Sequence, residues 1–274
     1  MEQINMERMN KECMNMKRVM KLQWLQLMRN RLFYIVFLVF TMVSVMFSKL
    51  IFMPQMQDCS GGVIAVQSAP LMCDMVALYV IVNTAVLLNQ DYENGSMYLM
   101  LTAGYSRIPL YFTKMIFIMM INAIMGILLL VTPVLFHTMK YGWGDTIGIG
   151  GYALRLLLVE CFLCRISALM TLLSILVKRY YLTIGGGLGL LAAEWWLVAN
   201  YEIRNACVPI ITAFNKIFDY DTQYKSHFTS GYVSFQITDC LNVEQQGKML
   251  LISFLMILVS AIVGCIYFRM DDVQ

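Results

Sequence analysis

Apolar residues occur along this chain in long blocks that are separated by short polar segments. Each block reaches the ~20 residues that an α-helix needs to cross the hydrocarbon core of a bilayer. The blocks lack the alternation of a strand, and a backbone in lipid must pair its own amides within the segment. The sequence therefore predicts six membrane-spanning helices, at roughly 32–53, 70–89, 115–136, 152–177, 181–200 and 248–268.

Composition supports this class. Of the 274 residues, 59% are hydrophobic and only 14% are charged, and the mean hydropathy is +0.67. A soluble domain of this size would be less apolar and richer in charge. The net charge of +3 is small and does not indicate nucleic-acid binding. The sequence thus predicts an all-α membrane protein.

Residues 1–30 are predicted to form a separate unit before the transmembrane domain of residues 31–274. Apolar side chains recur there at three- and four-residue steps: Met9, Cys13, Met16, Met20, Trp24 and Leu27. Basic residues occupy much of the remainder, which is typical of an amphipathic helix with its apolar face in lipid. This segment lacks the apolar core of a cleavable signal peptide, so the first span is expected to direct insertion.

Lysine and arginine set the predicted orientation, because they are enriched in cytoplasmic loops. With the N-terminus inside, the inner side carries twelve: Arg8, Lys11, Lys17, Arg18, Lys21, Arg29, Arg31, Arg107, Lys114, Lys178, Arg179 and Arg269. The outer side carries six: Lys49, Lys140, Arg204, Lys216, Lys225 and Lys248. Both termini are therefore predicted to be cytoplasmic. The longest outer segment is then 201–247, whose apolar run is too short to span and is expected to re-enter the membrane or lie on it.

The predicted inner loop from Asp91 to Lys114 is more ordered than a simple connection requires. Its first side chains offer an N-cap and an acidic first turn for a short helix: Asp91, Glu93 and Asn94. Good helix formers follow, Gly104 is expected to end the helix, and the next helix is predicted to begin at Ser106–Pro109. Lys114 is expected to extend its amine to the membrane border. The loop is predicted to be a short helix that lies across the cytoplasmic end of the bundle of spans. The alternative is an ordinary amphipathic connection between two spans.

The residue order in this loop closely resembles the signature of type 2 ABC transporter permeases, the membrane subunits of exporters. The matching residues are Glu93, Asn94, Gly95, Ser96, Gly104, Ser106, Arg107 and Tyr111, with Lys114 closing the motif. The basic helix before the first span, the six spans and the long outer segment are similar to features of the same family. The form Gly104-Tyr105-Ser106-Arg107 is most similar to the Gram-positive branch that exports peptides or confers bacteriocin immunity.

The resemblance implies a type 2 ABC exporter permease fold. It also implies that transport and ATP hydrolysis are carried out by separate subunits. A cytoplasmic coupling helix at about 91–105 would bind a separate ATPase subunit, with Leu101 among its coupling residues. This chain has no phosphate-binding loop motif, so ATP and Mg²⁺ would be held by the ATPase, and this chain is not expected to be an enzyme. A second permease copy, identical or related, would complete the complex in the plasma membrane of a bacterium.

The implied cargo is a peptide or another amphipathic compound. A lipid-linked or polysaccharide substrate is an alternative within the same family. Outside it, the alternatives are a stand-alone channel or secondary carrier, a non-transporting membrane subunit, and an intramembrane hydrolase using Glu160 with His137 and His227. Both histidines are predicted to lie in outer segments, outside the spans, which disfavours the hydrolase.

Four charged residues fall inside predicted spans: Arg155, Glu160, Arg165 and Glu194. Intramembrane charges are costly and tend either to pair or to line a transport path. Pairing of Arg155 with Glu160 or Glu194 is the favoured interpretation, and substrate contact is the alternative.

The eight cysteines give little further chemistry. Cys207 and Cys240 bracket the long outer segment and are a candidate disulfide, although free thiols fit the sequence equally well. Cys161 and Cys164 have a C-x-x-C spacing on an apolar span, without a second ligand pair nearby, so no metal or redox site is predicted there.

Overall fold

The computed structural model describes residues 16, 18–52, 60–67, 69–145, 147–201 and 243–270. Across these residues the regular structure is helical, without strands. The helices are α1 Arg18–Arg29, α2 Arg31–Phe52, α3 Gly61–Gln67, α4 Ala69–Glu93, α5 Ser96–Thr102, α6 Arg107–Tyr141, α7 Ile149–Val177, α8 Tyr180–Tyr201 and α9 Val243–Met270. Most of the segment 201–247 lies outside the described residues, so its predicted re-entrant structure stays a prediction.

Several of these helices can cross a membrane. By length and composition α6, α7 and the Ser253–Met270 part of α9 qualify, and α1 with the Arg31–Met46 part of α2 would add a fourth if the two form one broken span. Each of the six predicted blocks coincides with most of one helix, from α2 to α9. The prediction of an all-helical chain with helices long and apolar enough to span a membrane is confirmed, while the membrane location and the count of six spans stay predictions.

Helix α7 lies at the centre of the bundle and contacts α4, α6, α8 and α9. The largest apolar cluster joins α4, α6 and α7 and includes Tyr79, Val80, Leu129, Phe162 and Leu163. A bundle in lipid gains little from hydrophobic burial between helices, so close packing and interhelical hydrogen bonds must hold it together.

The two ends of the bundle gather different segments. At one end, α3 pairs its first backbone N–H groups with the carbonyls of Gly142 and Trp143, which follow α6. At the other end, one apolar cluster contains Val19 of α1, Met97 of α5, Leu110 of α6 and Phe268 of α9. The segments that the sequence assigned to the inner side thus share one end. Which end faces the cytoplasm stays a prediction.

A bend of 65° separates α1 from α2, and Asn30 occupies it. The Asn30 side-chain oxygen accepts the backbone N–H of Leu32 at 3.0 Å, which caps the start of α2. The Asn30 amide nitrogen donates to Gln90 Oε1 of α4 at 2.7 Å. One side chain therefore caps the second helix and ties the bend to the bundle.

The predicted apolar stripe of α1 is divided between two environments. Leu27 packs into the protein together with Val19 and Gln23, which are also buried, whereas Trp24 is exposed. Leu27 contacts a cluster formed by α2, α4 and α6. The expectation of a single lipid-facing stripe was wrong, because the bundle covers the Val19–Gln23–Leu27 edge of the helix.

Replacing Asn30 by alanine is expected to lower the stability of the protein by about 1–2 kcal/mol, because the α2 cap and the bond to Gln90 are both lost. The apparent melting temperature of the purified protein in detergent measures this loss. Asn30→Asp keeps the capping oxygen but lacks the donor to Gln90, so its melting temperature should fall between those of the wild type and Asn30→Ala. An unchanged melting temperature for Asn30→Ala would contradict the assigned role.

Candidate functional site

The loop that the sequence singled out forms a tight turn followed by the short helix α5. Helix α4 continues to Glu93, and Gly95 then takes a left-handed conformation with φ 67°. Glycine adopts this conformation without the steric cost that a Cβ would add. Ser96, the first residue of α5, donates its hydroxyl hydrogen to Asp91, with Oδ1 at 2.9 Å. The turn is thereby tied back to the last turn of α4.

The predicted start of the short helix was wrong by several residues. Asp91 and Glu93 belong to α4, Asn94 lies in the turn, and α5 has Gly95 at its N-cap without a side-chain cap and without an acidic first turn. The preceding helix runs on because Asn94 N–H still bonds the Gln90 carbonyl at 3.0 Å. The acidic residues therefore lie at the end of one helix rather than at the start of the next.

The predicted end of the short helix agrees with the structure. Gly104 has φ 86°, and its N–H bonds the carbonyl of Leu101 at 3.1 Å while Tyr105 N–H reaches Met100 at 3.3 Å. This pair of hydrogen bonds is the Schellman arrangement, which satisfies the last carbonyls of a helix. Ser106 is extended and precedes the first residue of α6, so α5 and α6 meet at a defined corner.

Helix α5 is held on one face and open on the other. Met97 and Met100 are buried among residues of α1, α6, α7 and α9, and Leu101 packs partly against the same cluster. Tyr98 is exposed, and the side chain of Leu99 is 65% exposed. A helix of only seven residues is not stable by itself, so the buried methionines fix the position of its open face.

The turn between α7 and α8 lies beside this open face. A cavity of about 400 Å³ is lined by residues of both turns, among them Glu93, Tyr98, Lys178 and Arg179. Arg179 donates a hydrogen bond to the Tyr181 hydroxyl at 2.8 Å, and this bond raises the pKa of Arg179 above its ordinary value. The guanidinium lies in the same cavity lining as Glu93 and Lys178.

We define the coupling surface as the exposed or partly exposed residues that meet at this place: Glu93, Tyr98, Leu99, Lys178, Arg179 and Tyr181. Sequence reasoning identified Glu93 but not the part contributed by the α7–α8 turn. The only sequence signal was that the predicted topology put both turns on the same side. The cavity shows that they are also neighbours.

Asp91 and Lys114 form a buried ion pair just behind the coupling surface. The Lys114 side chain is 2% exposed and its amine bonds Asp91 Oδ2. The expectation that Lys114 extends to the membrane border was wrong, because the carboxylate of Asp91 lies beside it inside the bundle. This pair joins α4 to α6, and Ser96 joins α5 to the same carboxylate.

Arg107 connects the first turn of α6 to the end of α9. Its guanidinium lies 3.5 Å from the carbonyl oxygen of Phe268 and 3.4 Å from that of Arg269. A cation is favourable beside the last carbonyls of a helix. Nearby, the Tyr111 hydroxyl donates to the Ser260 carbonyl at 3.1 Å. Two residues of the predicted motif thus hold α6 against α9.

The structure describes two of the four intramembrane charged side chains. Both carboxylate oxygens of Glu160 are buried and make no hydrogen bond to the described residues. A Cβ added to Gly126 of α6 would lie 3.5 Å from Glu160 Oε1. The guanidinium of Arg165 is buried 4.9 Å from the centre of the Phe162 ring. The side chains of Arg155 and Glu194 lie outside the described residues, so the predicted pairing stays a prediction.

A buried network of uncharged polar side chains links α4, α6 and α7, and sequence reasoning missed it. Asn122 of α6 accepts a hydrogen bond from Asn83 at 2.7 Å and donates to Thr84 at 2.8 Å and to Ser167 at 3.0 Å. All four side chains are almost fully buried. The sequence feature that could have predicted this network is the presence of Asn83 and Asn122 within predicted membrane spans.

A second buried amide extends these contacts to α8. Asn89 of α4 donates to Thr183 of α8 at 2.8 Å and lies 3.3 Å from Ser174 of α7. Amide and hydroxyl groups of this kind stabilise helix packing in lipid.

The cysteine and histidine predictions have mixed outcomes. Cys207 and Cys240 lie outside the described residues, and Cys161 and Cys164 carry free thiols. Among the described residues no group of three His, Cys, Asp or Glu side chains could hold a metal ion. His137 was predicted to lie in an outer segment; it is instead buried in α6.

The position of His137 does not support the alternative function of an intramembrane hydrolase. Gly126 is the α6 residue that faces Glu160, and His137 follows it by 11 residues (137 − 126) in the same helix. At 1.5 Å per residue the two positions are about 16 Å apart along the helix. The geometry does not bring this carboxylate and the His137 imidazole together, and His227 lies outside the described residues.

The α5 end of the bundle combines exposed apolar side chains, charged side chains and a buried ion pair. Tyr98 and Leu99 offer apolar contacts, Lys178 and Arg179 offer charge, and the Asp91–Lys114 pair connects this surface to two long helices. No family model and no curated protein sequence matches this chain.

Proposed function

We propose that this protein is the membrane subunit of an ATP-driven exporter, with the type 2 ABC permease fold that its loop motif resembles. Both termini would then be cytoplasmic, and a separate ATPase would bind the coupling surface and hydrolyse ATP with Mg²⁺. The cargo would be a peptide or another amphipathic compound. The chain itself carries out no chemical step.

One observation carries the proposal: α5 is a seven-residue helix that is fixed by buried methionines and exposes Tyr98 and Leu99. The exposed side chains Tyr98 and Leu99 lie on the face of α5 opposite the buried methionines. Beside a basic turn this face is suited to a partner protein, since interfaces are enriched in aromatic residues and arginine and have a polar rim.

The contacts behind α5 support a mechanical role. Met97 and Met100 pack in one cluster with Tyr111 of α6 and Phe268 of α9, and the Asp91–Lys114 pair joins α4 to α6. A partner that pushes α5 would therefore displace three long helices together. Packed interfaces of this kind convert small displacements into shifts of whole helices.

A second permease copy, identical or related, completes the proposed complex in the plasma membrane of a bacterium. The peptide cargo rests on the similarity of Gly104-Tyr105-Ser106-Arg107 to the peptide-exporting branch; a lipid-linked or polysaccharide cargo is the alternative. The coupling surface disfavours a channel or a secondary carrier, because such a protein would not need a binding surface for an ATPase.

The substitution Leu99→Asp is expected to weaken binding of the ATPase by about 10- to 100-fold, as loss of a central interface residue commonly does. The probe is an ATP-binding cassette ATPase that co-purifies with the tagged wild-type permease. Leu99 is 65% exposed, so the melting temperature of the permease should not change.

Met139→Asp is the matched control, because Met139 is exposed near the opposite end of α6. It should co-purify with the ATPase as the wild type does. Normal co-purification of Leu99→Asp would contradict the assigned surface. Transport by the permease alone, reconstituted in vesicles without any ATPase, would favour the channel or carrier instead.

A further inference from the structure

A second cavity, of about 260 Å³, lies between α1, the end of α4 and α6. It is distinct from the coupling surface, although Asn94 and Ser96 of the α4–α5 turn belong to its lining. Its volume far exceeds the ~30 Å³ that one water occupies and approaches the ~300 Å³ of small-molecule sites. The cavity is therefore large enough for a small organic group.

The lining combines an unsatisfied acceptor with a cation. Gln23 of α1 is only 6% exposed, lines this cavity, and its Oε1 makes no hydrogen bond to any residue that the structure describes. A buried acceptor without a donor is costly, so a ligand that brings a donor would be stabilised there. The Arg29 side chain lies at the same cavity and supplies a positive charge.

The acidic member of the lining does not cancel this charge. Asp91 faces the cavity, but its carboxylate is engaged by the amine of Lys114 and by the hydroxyl of Ser96. Arg29 thus remains the charge available to a ligand. Leu27, Leu88 and Phe117 form an apolar wall behind these polar groups.

The position of the cavity indicates where its ligand comes from. Helix α1 exposes large apolar side chains, including Trp24, Leu25 and Met28, and carries the basic residues Arg18 and Lys21. A helix of this composition lies at the boundary between lipid headgroups and acyl chains. A cavity beneath it is therefore at the level of the headgroups, next to apolar surface that acyl chains can cover.

We infer that this cavity binds the phosphodiester headgroup of an anionic phospholipid that carries a hydroxyl donor, such as phosphatidylglycerol. Arg29 binds the phosphate, since guanidinium groups form strong, paired hydrogen bonds to phosphate oxygens. Gln23 Oε1 accepts a hydroxyl hydrogen of the headgroup. A purely cationic ligand is disfavoured by Arg29, and a ligand without a donor leaves Gln23 unsatisfied.

The bound lipid would fix α1 on the bundle beside the turn that begins α5. Lipid binding of this kind does not require the export activity proposed above, and it can be measured without an ATPase. Failure of the ATPase experiment would therefore leave this inference intact, and the reverse also holds.

Native mass spectrometry of the full-length protein in detergent tests the inference. Phosphatidylglycerol and phosphatidylcholine with identical acyl chains are the two probes. We expect one phosphatidylglycerol per protein chain to be retained, with at least about tenfold preference over phosphatidylcholine. Arg29→Gln should weaken phosphatidylglycerol binding about tenfold, Arg29→Lys less, and Gln23→Leu should reduce the preference for phosphatidylglycerol over phosphatidylcholine.

Arg31→Gln is the matched control, because Arg31 is an exposed neighbour that does not line the cavity. It should bind phosphatidylglycerol as the wild type does. Equal binding of the two lipids, or equal losses for Arg29→Gln and Arg31→Gln, would overturn the inference. Displacement of the lipid by millimolar glycerol phosphate would overturn it too, since a soluble phosphate ester would then be the ligand. Melting temperatures of all variants exclude a loss of fold as the cause.

Discussion

Replacing Lys114 by methionine should destabilise the protein by about 3–5 kcal/mol, the largest effect expected for a single substitution in this chain. The substitution leaves the carboxylate of Asp91 without its cation in a site where the two side chains are only 2% and 16% exposed. A buried carboxylate that keeps only the Ser96 hydroxyl as a partner costs several kcal/mol, whereas methionine fills nearly the same volume as lysine. The loss is therefore electrostatic and not a packing defect.

The fraction folded in mixed micelles, followed as the mole fraction of SDS increases, measures this loss. Lys140→Met is the matched control on the same helix, because Lys140 is exposed; it should change the free energy of unfolding by less than about 0.5 kcal/mol. The double variant Asp91→Asn with Lys114→Met removes both charges. It should recover to within about 1 kcal/mol of the wild type, since a buried ion pair contributes little net stability over neutral groups.

Equal destabilisation of Lys114→Met and the double variant would contradict the ion-pair explanation and indicate a packing role for Lys114. The double variant could also be as stable as the wild type while ATPase binding no longer drives transport. That outcome would show that the fold tolerates loss of the pair while the connection between α4, α5 and α6 depends on it.

The substitution Asn122→Leu should have the second largest effect, about 2 kcal/mol. It removes three interhelical hydrogen bonds at once, to Asn83, Thr84 and Ser167. In a water-soluble core each orphaned group would cost about 1–3 kcal/mol. In a membrane the average is about 0.6 kcal/mol per bond, because the unfolded helices also lack water and find other partners. Three bonds at this average give the expected loss of about 2 kcal/mol.

Thr132→Val is the control for this prediction. Thr132 lies on the same helix, and its hydroxyl bonds only the carbonyl of Leu128 in its own helix, at 2.5 Å. We expect a change within about 0.5 kcal/mol. A loss for Asn122→Leu no larger than that of Thr132→Val would show that the network does not hold α4, α6 and α7 together. A second substitution, Asn83→Leu, placed in a double-mutant cycle with Asn122→Leu, would isolate the Asn83–Asn122 term.

Residues close in sequence decided the parts of the fold that could be predicted. Gly104 ends α5 because a left-handed residue is needed immediately after the helix, and that requirement is local. Pro109 falls in the first turn of α6, where its missing N–H costs nothing. The start of α5 was mispredicted because Asp91 and Glu93 are equally compatible with the end of α4, and local preference does not distinguish the two.

The candidate site could be predicted only in part for the same reason. Glu93 and the motif around it pointed to this turn, but the contribution of Lys178 and Arg179 depends on how two distant turns meet. Likewise, in the sequence alone Gln23 of α1 is one polar residue among several on an amphipathic helix. Only its burial against α4 and α6 makes it an unsatisfied acceptor in a cavity.

The sequence by itself determined that the chain folds as long apolar helices, that a short helix interrupts them before Gly104, and that a basic amphipathic helix precedes them. Hydrophobic block length and local turn chemistry suffice for these features. The tertiary structure alone decided that Lys114 is buried against Asp91 and that Asn122 joins three helices. These contacts depend on the rotation and height of each helix relative to its neighbours, which the pattern of a single helix does not specify.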